Sequence, residues 1–116
     1  MTIRKKICVI GLGYIGLPTS ALLANRGYQV HGADISPSVI ETINQGKIHI
    51  VEPDLDTFVK AAVNSGKLRA DLNPAAADVF IIAVPTPFHK GFVPNIDYVL
   101  AGTRAIAPYV KKDNIV

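Results

Sequence analysis

The stretch Ile7-Cys8-Val9-Ile10-Gly11-Leu12-Gly13-Tyr14-Ile15-Gly16 decides the fold. Its first four residues form an unbroken apolar run, as in a strand buried on both faces. The run ends at Gly11, and three glycines then follow in the spacing G-x-G-x-x-G. From Tyr14 to Arg26 the composition turns helical, with Leu17, Ala21 and Leu22 recurring on one face. Gly27 is a suitable stop, because glycine takes the left-handed backbone at a helix end at little cost. A strand, a glycine turn and a helix therefore open the chain.

Outward from that unit the alternation continues. A second strand is expected over Gln29–Asp34. Ser36-Pro37 starts a helix, since serine caps well and proline is tolerated at the first helical position. Ile40 and Ile43 mark its inner face and Gly46 ends it. Lys47 to Val51 reads as a loop or a short extended piece. Pro53 opens an amphipathic helix with Leu55, Phe58, Val59, Ala62 and Val63 at helical spacing, closed by Gly66. Leu68 to Leu72 reads as a third strand, Asn73-Pro74 as the cap of one helical turn across Ala75–Ala77, and Val79 to Val84 as a fourth strand. Pro85-Thr86-Pro87 must be irregular. A last helix is expected from Ile96 to Tyr109, with Val99, Leu100, Thr103 and Ile106 inward and Pro108 near its end. Asn114-Ile115-Val116 looks like a strand just beginning, so the sequence reads as a piece of a longer protein. Strands alternating with helices imply a parallel sheet covered on both faces. The expected fold class is α/β, a doubly wound parallel sheet of the Rossmann type, in three layers and truncated.

The 116 residues fit one domain, and 49% hydrophobic content is enough for a core. Charged residues make up 18% and the formal net charge is +3, with lysines and arginines at the two ends. That pattern lacks the basic face of a nucleic-acid binder. No apolar stretch reaches the roughly 20 residues a bilayer needs, and no signal peptide is evident. A single cysteine, Cys8, allows no internal disulfide, which fits a reducing compartment. The expectation is a soluble cytoplasmic protein.

The glycine turn has a defined chemistry in this context. Gly11 permits the tight exit from the strand. Gly13 lacks a Cβ, so a pyrophosphate can approach the backbone. Gly16 lets the helix pack closely. The amides of Tyr14 and Ile15 lie at the helix N-terminus, where an anion is favoured. Asp34 falls 18 residues beyond Gly16, at the end of the second strand. Its carboxylate can accept from both ribose hydroxyls and would repel a 2′-phosphate. Residues 35–38 contain no arginine to hold that phosphate, so the expected cofactor is NAD rather than NADP. A helix-capping role before Ser36 is the alternative for Asp34. Thr86 follows the fourth strand, at the carboxyl end where ligands gather, either facing the nicotinamide half or serving only a proline-stiffened turn. Cys8 reads as a small core residue. His31, His49 and His89 lie apart, and no Cys/His cluster at ligand spacing indicates a metal. His89 and Lys90 are candidates for the substrate side.

Residues Ile7 to Pro18, Asp34 and Val84-Pro85-Thr86-Pro87 together resemble the UDP-glucose/GDP-mannose dehydrogenase family. The resemblance covers nearly the whole chain. The segment Ile48-His49-Ile50-Val51-Glu52-Pro53-Asp54-Leu55 looks like the branch acting on UDP-N-acetyl-D-mannosamine, with Asp54 where the family usually has glycine. The resemblance implies oxidation of a sugar C6 alcohol to a carboxylate with two NAD+, through a thiohemiacetal and a thioester on a cysteine. That cysteine and most sugar-binding residues lie downstream of this chain. The implied site residues here are on the cofactor side: Gly11, Gly13, Tyr14, Ile15, Gly16, Asp34 and Thr86. Residues 1–116 would be an incomplete N-terminal NAD-binding domain, inactive alone, from a homodimeric enzyme with a UDP-sugar substrate. Other readings are a UDP-glucose or UDP-N-acetylglucosamine 6-dehydrogenase, or a dinucleotide-sensing domain with no catalysis.

Overall fold

The computed structural model describes residues 5–87, 91 and 95–116. Four strands, β1 (Lys6–Ile10), β2 (Gln29–Ala33), β3 (Leu68–Asp71) and β4 (Val79–Ile82), form one sheet in the order β3-β2-β1-β4. All pairs are parallel, with Ile10 opposite Ala33 and Ile82, and Ala33 opposite Asp71. The carboxyl ends of all four strands therefore lie along one edge of the sheet. Ile115 adds a single parallel bridge to Val79 on the outer side of β4.

Helices α1 (Gly16–Asn25), α2 (Pro37–Asn44) and α3 (Leu55–Asn64) contribute to the core on one face of the sheet, with Ile7, Val9, Val30, Leu68 and Ala70. Helix α4 (Asp97–Ile106) covers part of the other face through Ile106, against Cys8, Ile10, Ala33 and Phe80. This is a three-layer, Rossmann-type α/β fold, as the alternation of strands and helices predicts.

The helix ends follow from local chemistry. Ser36 caps α2, its hydroxyl accepting from the Val39 amide at 3.5 Å. Gly27 (φ +99°) and Gly46 (φ +76°) close α1 and α2 with the same pair of bonds. Gly27 N–H donates to Ala24 O and Tyr28 N–H to Leu23 O; Gly46 N–H donates to Ile43 O and Lys47 N–H to Thr42 O. The edge strand β3 is closed on its outer side by a side chain. The Asn44 amide donates to Ala70 O and accepts from Ala70 N–H, both at 2.9 Å. Such pairing removes a template for unwanted strand addition.

Several expectations are corrected. Residues 75–77 are not helical. The seven residues between β3 and β4 must cross β2 and β1 and return to the start of a parallel strand. They do so without regular secondary structure, and the helical turn expected across Ala75–Ala77 does not form. Leu22 and Phe58, expected inward, are 57% and 54% exposed. They flank a groove between α1 and α3, whose buried stripes are centred on Leu17, Ala21 and Ala24 and on Leu55, Val59 and Ala62. On α4, Leu100 and Thr103 are exposed, and the inward residues are Gly102 and Ile106. A Cβ on Gly102 would already touch Ile10 and Ile82 at 3.4 and 3.5 Å, so the helix approaches the sheet at its smallest side chain. The α-helix stops at Ile106, and Ala107–Tyr109 tightens into a 3-10 turn around Pro108.

Candidate functional site

Strand β1 ends against β2 and β4, and the turn that leaves it is held from both. Gly11 adopts φ +95°, and a Cβ there would lie 2.5 Å from the Ala83 carbonyl oxygen. Only glycine serves at this position, on both conformational and steric grounds. Gly11 N–H donates to Ala33 O at 2.8 Å, and Ala83 N–H donates to Ile10 O at 2.7 Å. Gly16 has a different reason. Its Cβ would lie 1.7 Å from the Gly11 carbonyl oxygen, so α1 starts in contact with the strand end. Gly13 differs from both: a Cβ there would meet nothing within 4 Å. The protein leaves room above Gly13, as a backbone approached by a ligand requires.

The start of α1 is open to an anion. Its N-cap residue, Ile15, supplies no side-chain bond, and its first turn holds no acidic residue. Among the described residues, the amides of Gly13, Tyr14 and Ile15 have no acceptor. Unpaired amides at a helix start carry a partial positive charge suited to phosphate oxygens. Tyr14 and Ile15 are exposed, so the opening is unobstructed.

Asp34 stands at the end of β2 beside this turn. One carboxylate oxygen accepts the Leu12 amide and the other accepts the Ser36 amide, each at 3.0 Å. The second bond is a turn onto the backbone of Ser36; the cap of α2 is Ser36 itself, so Asp34 precedes the cap and does not form it. A carboxylate offers about four acceptor sites, so each oxygen keeps one for a ribose hydroxyl. Asp34 also lines a cleft of about 450 Å³ with Gly11, Ile35, Leu72, Pro74, Pro85 and Tyr98 among its walls. The structure therefore gathers Gly11, Gly13, Tyr14, Ile15, Gly16 and Asp34 at the carboxyl edge of the sheet. Pro85 reaches the cleft, whereas Thr86 follows it as an exposed residue of the irregular segment. His89 and Lys90 lie outside the described residues.

Two contributors escaped the sequence reading. Leu12, nominally a free position between glycines, is fully buried. It packs over Gly32 of β2, where a Cβ would come within 2.8 Å of a Leu12 methyl. An apolar residue inside the turn and a glycine inside a strand were the available signals.

Cys8, His31 and Asp71 do not line the cleft. Cys8 is buried in the sheet, and burial raises its thiol pKa despite a smaller opposing backbone bond at Ala75. It is no activated nucleophile. His31 bonds the Asn73 carbonyl oxygen at 2.7 Å. The backbone amides of Asn73 and Leu72 hold the half-buried Asp71 carboxyl below its ordinary pKa. Among the described residues, no three His, Cys, Asp or Glu side chains gather into a metal-holding group, and no helix is long and apolar enough to cross a membrane.

The sequence model of the UDP-glucose/GDP-mannose dehydrogenase family, NAD binding domain, matches residues 5–116. The chain belongs to this family. It is the family's NAD-binding domain, and the open glycine turn beside Asp34 fits that cofactor. The chain is 56% identical over 114 residues to a UDP-N-acetyl-D-mannosamine dehydrogenase of Campylobacter jejuni, covering 97% of this chain and 28% of that protein. It is 54% identical over 112 residues to an NDP-N-acetyl-D-galactosaminuronic acid dehydrogenase of Ralstonia nicotianae, covering 97% of this chain and 26% of that protein. The solved UDP-N-acetyl-mannosamine dehydrogenase of Staphylococcus aureus superposes with a TM-score of 0.92 at 43% identity, over 95% of this chain and 27% of that one. The chain thus spans about a quarter of the length of the curated relatives it matches.

Proposed function

We propose that this family domain is the cofactor-binding part of an NAD-dependent nucleotide-sugar 6-dehydrogenase whose substrate is UDP-N-acetyl-D-mannosamine. The carrying observation is the site's geometry: Gly13 faces open space at an uncapped helix start, with Asp34 beside it. The amides of Gly13, Tyr14 and Ile15 take the pyrophosphate, with Gly11 and Gly16 shaping the turn that presents them. The free acceptor sites of Asp34 take the adenosine ribose hydroxyls and disfavour a 2′-phosphate. Thr86 lies toward the nicotinamide half. When bound, NAD supplies the hydride acceptor. The reaction proposed for the whole protein converts one primary alcohol and one water, with two NAD+, to a carboxylate, two NADH and three protons. This chain contributes the binding and orientation of the cofactor. The thiol nucleophile is read as lying outside this chain, and Cys8, sealed in the sheet, is unsuited to that role. The domain alone should turn over no sugar. The whole enzyme is read as a cytoplasmic homodimer.

The substrate assignment rests on relatives named for UDP-N-acetyl-D-mannosamine, including those of Campylobacter jejuni and Escherichia coli. The Ralstonia relative, at comparable identity, favours an N-acetylgalactosamine-type sugar as the second reading. NADH formation by the full-length protein decides between them. The proposal expects two NADH per UDP-N-acetyl-D-mannosamine and slower turnover of UDP-N-acetylgalactosamine, UDP-N-acetylglucosamine and UDP-glucose. Preference for another of these sugars overturns the assignment, and oxidation of none overturns the enzyme reading.

A further inference from the structure

We propose that Asp34 positions the phosphate-binding turn itself, so that the anion cradle depends on its carboxylate even where no ribose is present. This inference rests on the reading of the glycine turn as the cofactor's pyrophosphate site, and it adds a second role for the residue.

The end of β2 holds the turn by three links in succession. Gly11 N–H donates to Ala33 O at 2.8 Å. Leu12 N–H donates to the Asp34 carboxylate at 3.0 Å. The Leu12 side chain is fully buried over Gly32. Beyond Leu12 these links stop. The amides of Gly13, Tyr14 and Ile15 have no acceptor among the described residues. Leu12 is thus the last residue fixed from β2 before the donors that would meet phosphate, and among the described residues its only polar tether is Asp34. The other oxygen of that carboxylate is tied to Ser36 N–H at 3.0 Å, so the group is itself held in place from the next helix. Donors that must converge on one anion tolerate little displacement.

The two roles predict opposite signs for a suitable probe. A carboxylate close to a bound anion repels it. If Asp34 serves only the ribose, removing its charge should leave unchanged, or strengthen, binding of a diphosphate that lacks ribose hydroxyls. If Asp34 holds the turn, that binding should weaken. Asp34→Asn is nearly isosteric, yet its NH2 group must face one of the two amides that the carboxylate now satisfies.

The experiment titrates the full-length protein calorimetrically with ADP and with 2′,3′-dideoxy-ADP, in wild type and Asp34→Asn. Hydrogen exchange of the Leu12 amide is followed in the unliganded proteins. The proposal expects dideoxy-ADP affinity to fall about tenfold or more in the variant, and the Leu12 amide to exchange faster. Loss confined to ADP, with dideoxy-ADP binding unchanged or tighter, overturns it and leaves the ribose role intact. A Leu12 amide unaltered in both Asp34→Asn and Asp34→Ala, the second of which has no oxygen to turn toward Leu12, also overturns it. Wild-type protein that binds neither nucleotide overturns the pyrophosphate-site reading on which it rests. Asp34→Glu, which keeps the charge but moves it by one methylene, covers a misfolded Asp34→Asn. It should weaken dideoxy-ADP binding likewise, and full retention of that affinity counts against the proposal.

Discussion

The first and third glycines of the turn touch: a Cβ on Gly16 would stand 1.7 Å from the carbonyl oxygen of Gly11. Backbone meets backbone there, so nothing can swing aside. The middle glycine, Gly13, has no neighbour within 4 Å of the same construction. Identical residue types in one motif therefore answer to different constraints, two from folding and one from ligand access. Gly16→Ala should destabilise the domain by about 3 kcal/mol, as overpacking against fixed backbone does. Gly13→Val should keep most of its stability and lose NAD binding. Thermal unfolding and calorimetry of the two variants check the split. A stable Gly16→Ala or an NAD-binding Gly13→Val contradicts it.

Asp34→Ala removes both the proposed ribose contact and the tether on Leu12. The expected loss of NAD affinity in the full-length protein is about 1.5–3 kcal/mol, the range for hydrogen bonds to a charged group. Calorimetric titration measures it directly, and an unchanged affinity would remove Asp34 from the site.

Asn44 closes the outer edge of β3 by pairing with both backbone groups of Ala70 at 2.9 Å. Asn44→Ala leaves those partly buried groups unpaired. A loss of about 1–2 kcal/mol in urea unfolding is expected. Faster exchange of the Ala70 amide should accompany it.

Asp54 occupies the left-handed region at φ +63°, and its side chain makes no capping bond. This is the position where the family resemblance leads one to expect glycine. The strain explains that preference, since a Cβ clashes with the following carbonyl in this conformation. Asp54→Gly should stabilise the domain by about 0.5–1 kcal/mol, after allowing for the greater freedom of an unfolded glycine. A lower denaturation midpoint in the variant would contradict the assignment of strain.

The elements most legible in the sequence were those written by apolar runs and terminal glycines. Residues 7–10 and 79–84 read as strands, the second ending two residues earlier in the structure, at Ile82, and Gly27 and Gly46 marked helix ends that the structure closes with paired backbone bonds. The glycine turn and Asp34 were legible because their spacing sits between a strand and a helix. Tertiary choices were not. Whether Leu22 or Phe58 is covered depends on where α1 meets α3, and a helical stripe gives its direction only to within one residue. The approach of α4 through Gly102 hid behind the larger Leu100 and Thr103. The composition at Ala75–Ala77 suits a helical turn, yet the crossing from β3 to β4 is irregular there. Leu12 and Asn44 act across the fold, on Gly32 and Ala70, and neither pairing has a sequence spacing to announce it.

The turn at Gly13 and the carboxylate of Asp34 are proposed to form one site selective for NAD. Calorimetric titration of the full-length protein with NAD+ and NADP+ in parallel tests it most directly. NAD+ is expected to bind at one site per chain and NADP+ at least about tenfold more weakly, the cost of setting a 2′-phosphate against a carboxylate. Equal affinities, or tighter NADP+ binding, would contradict it.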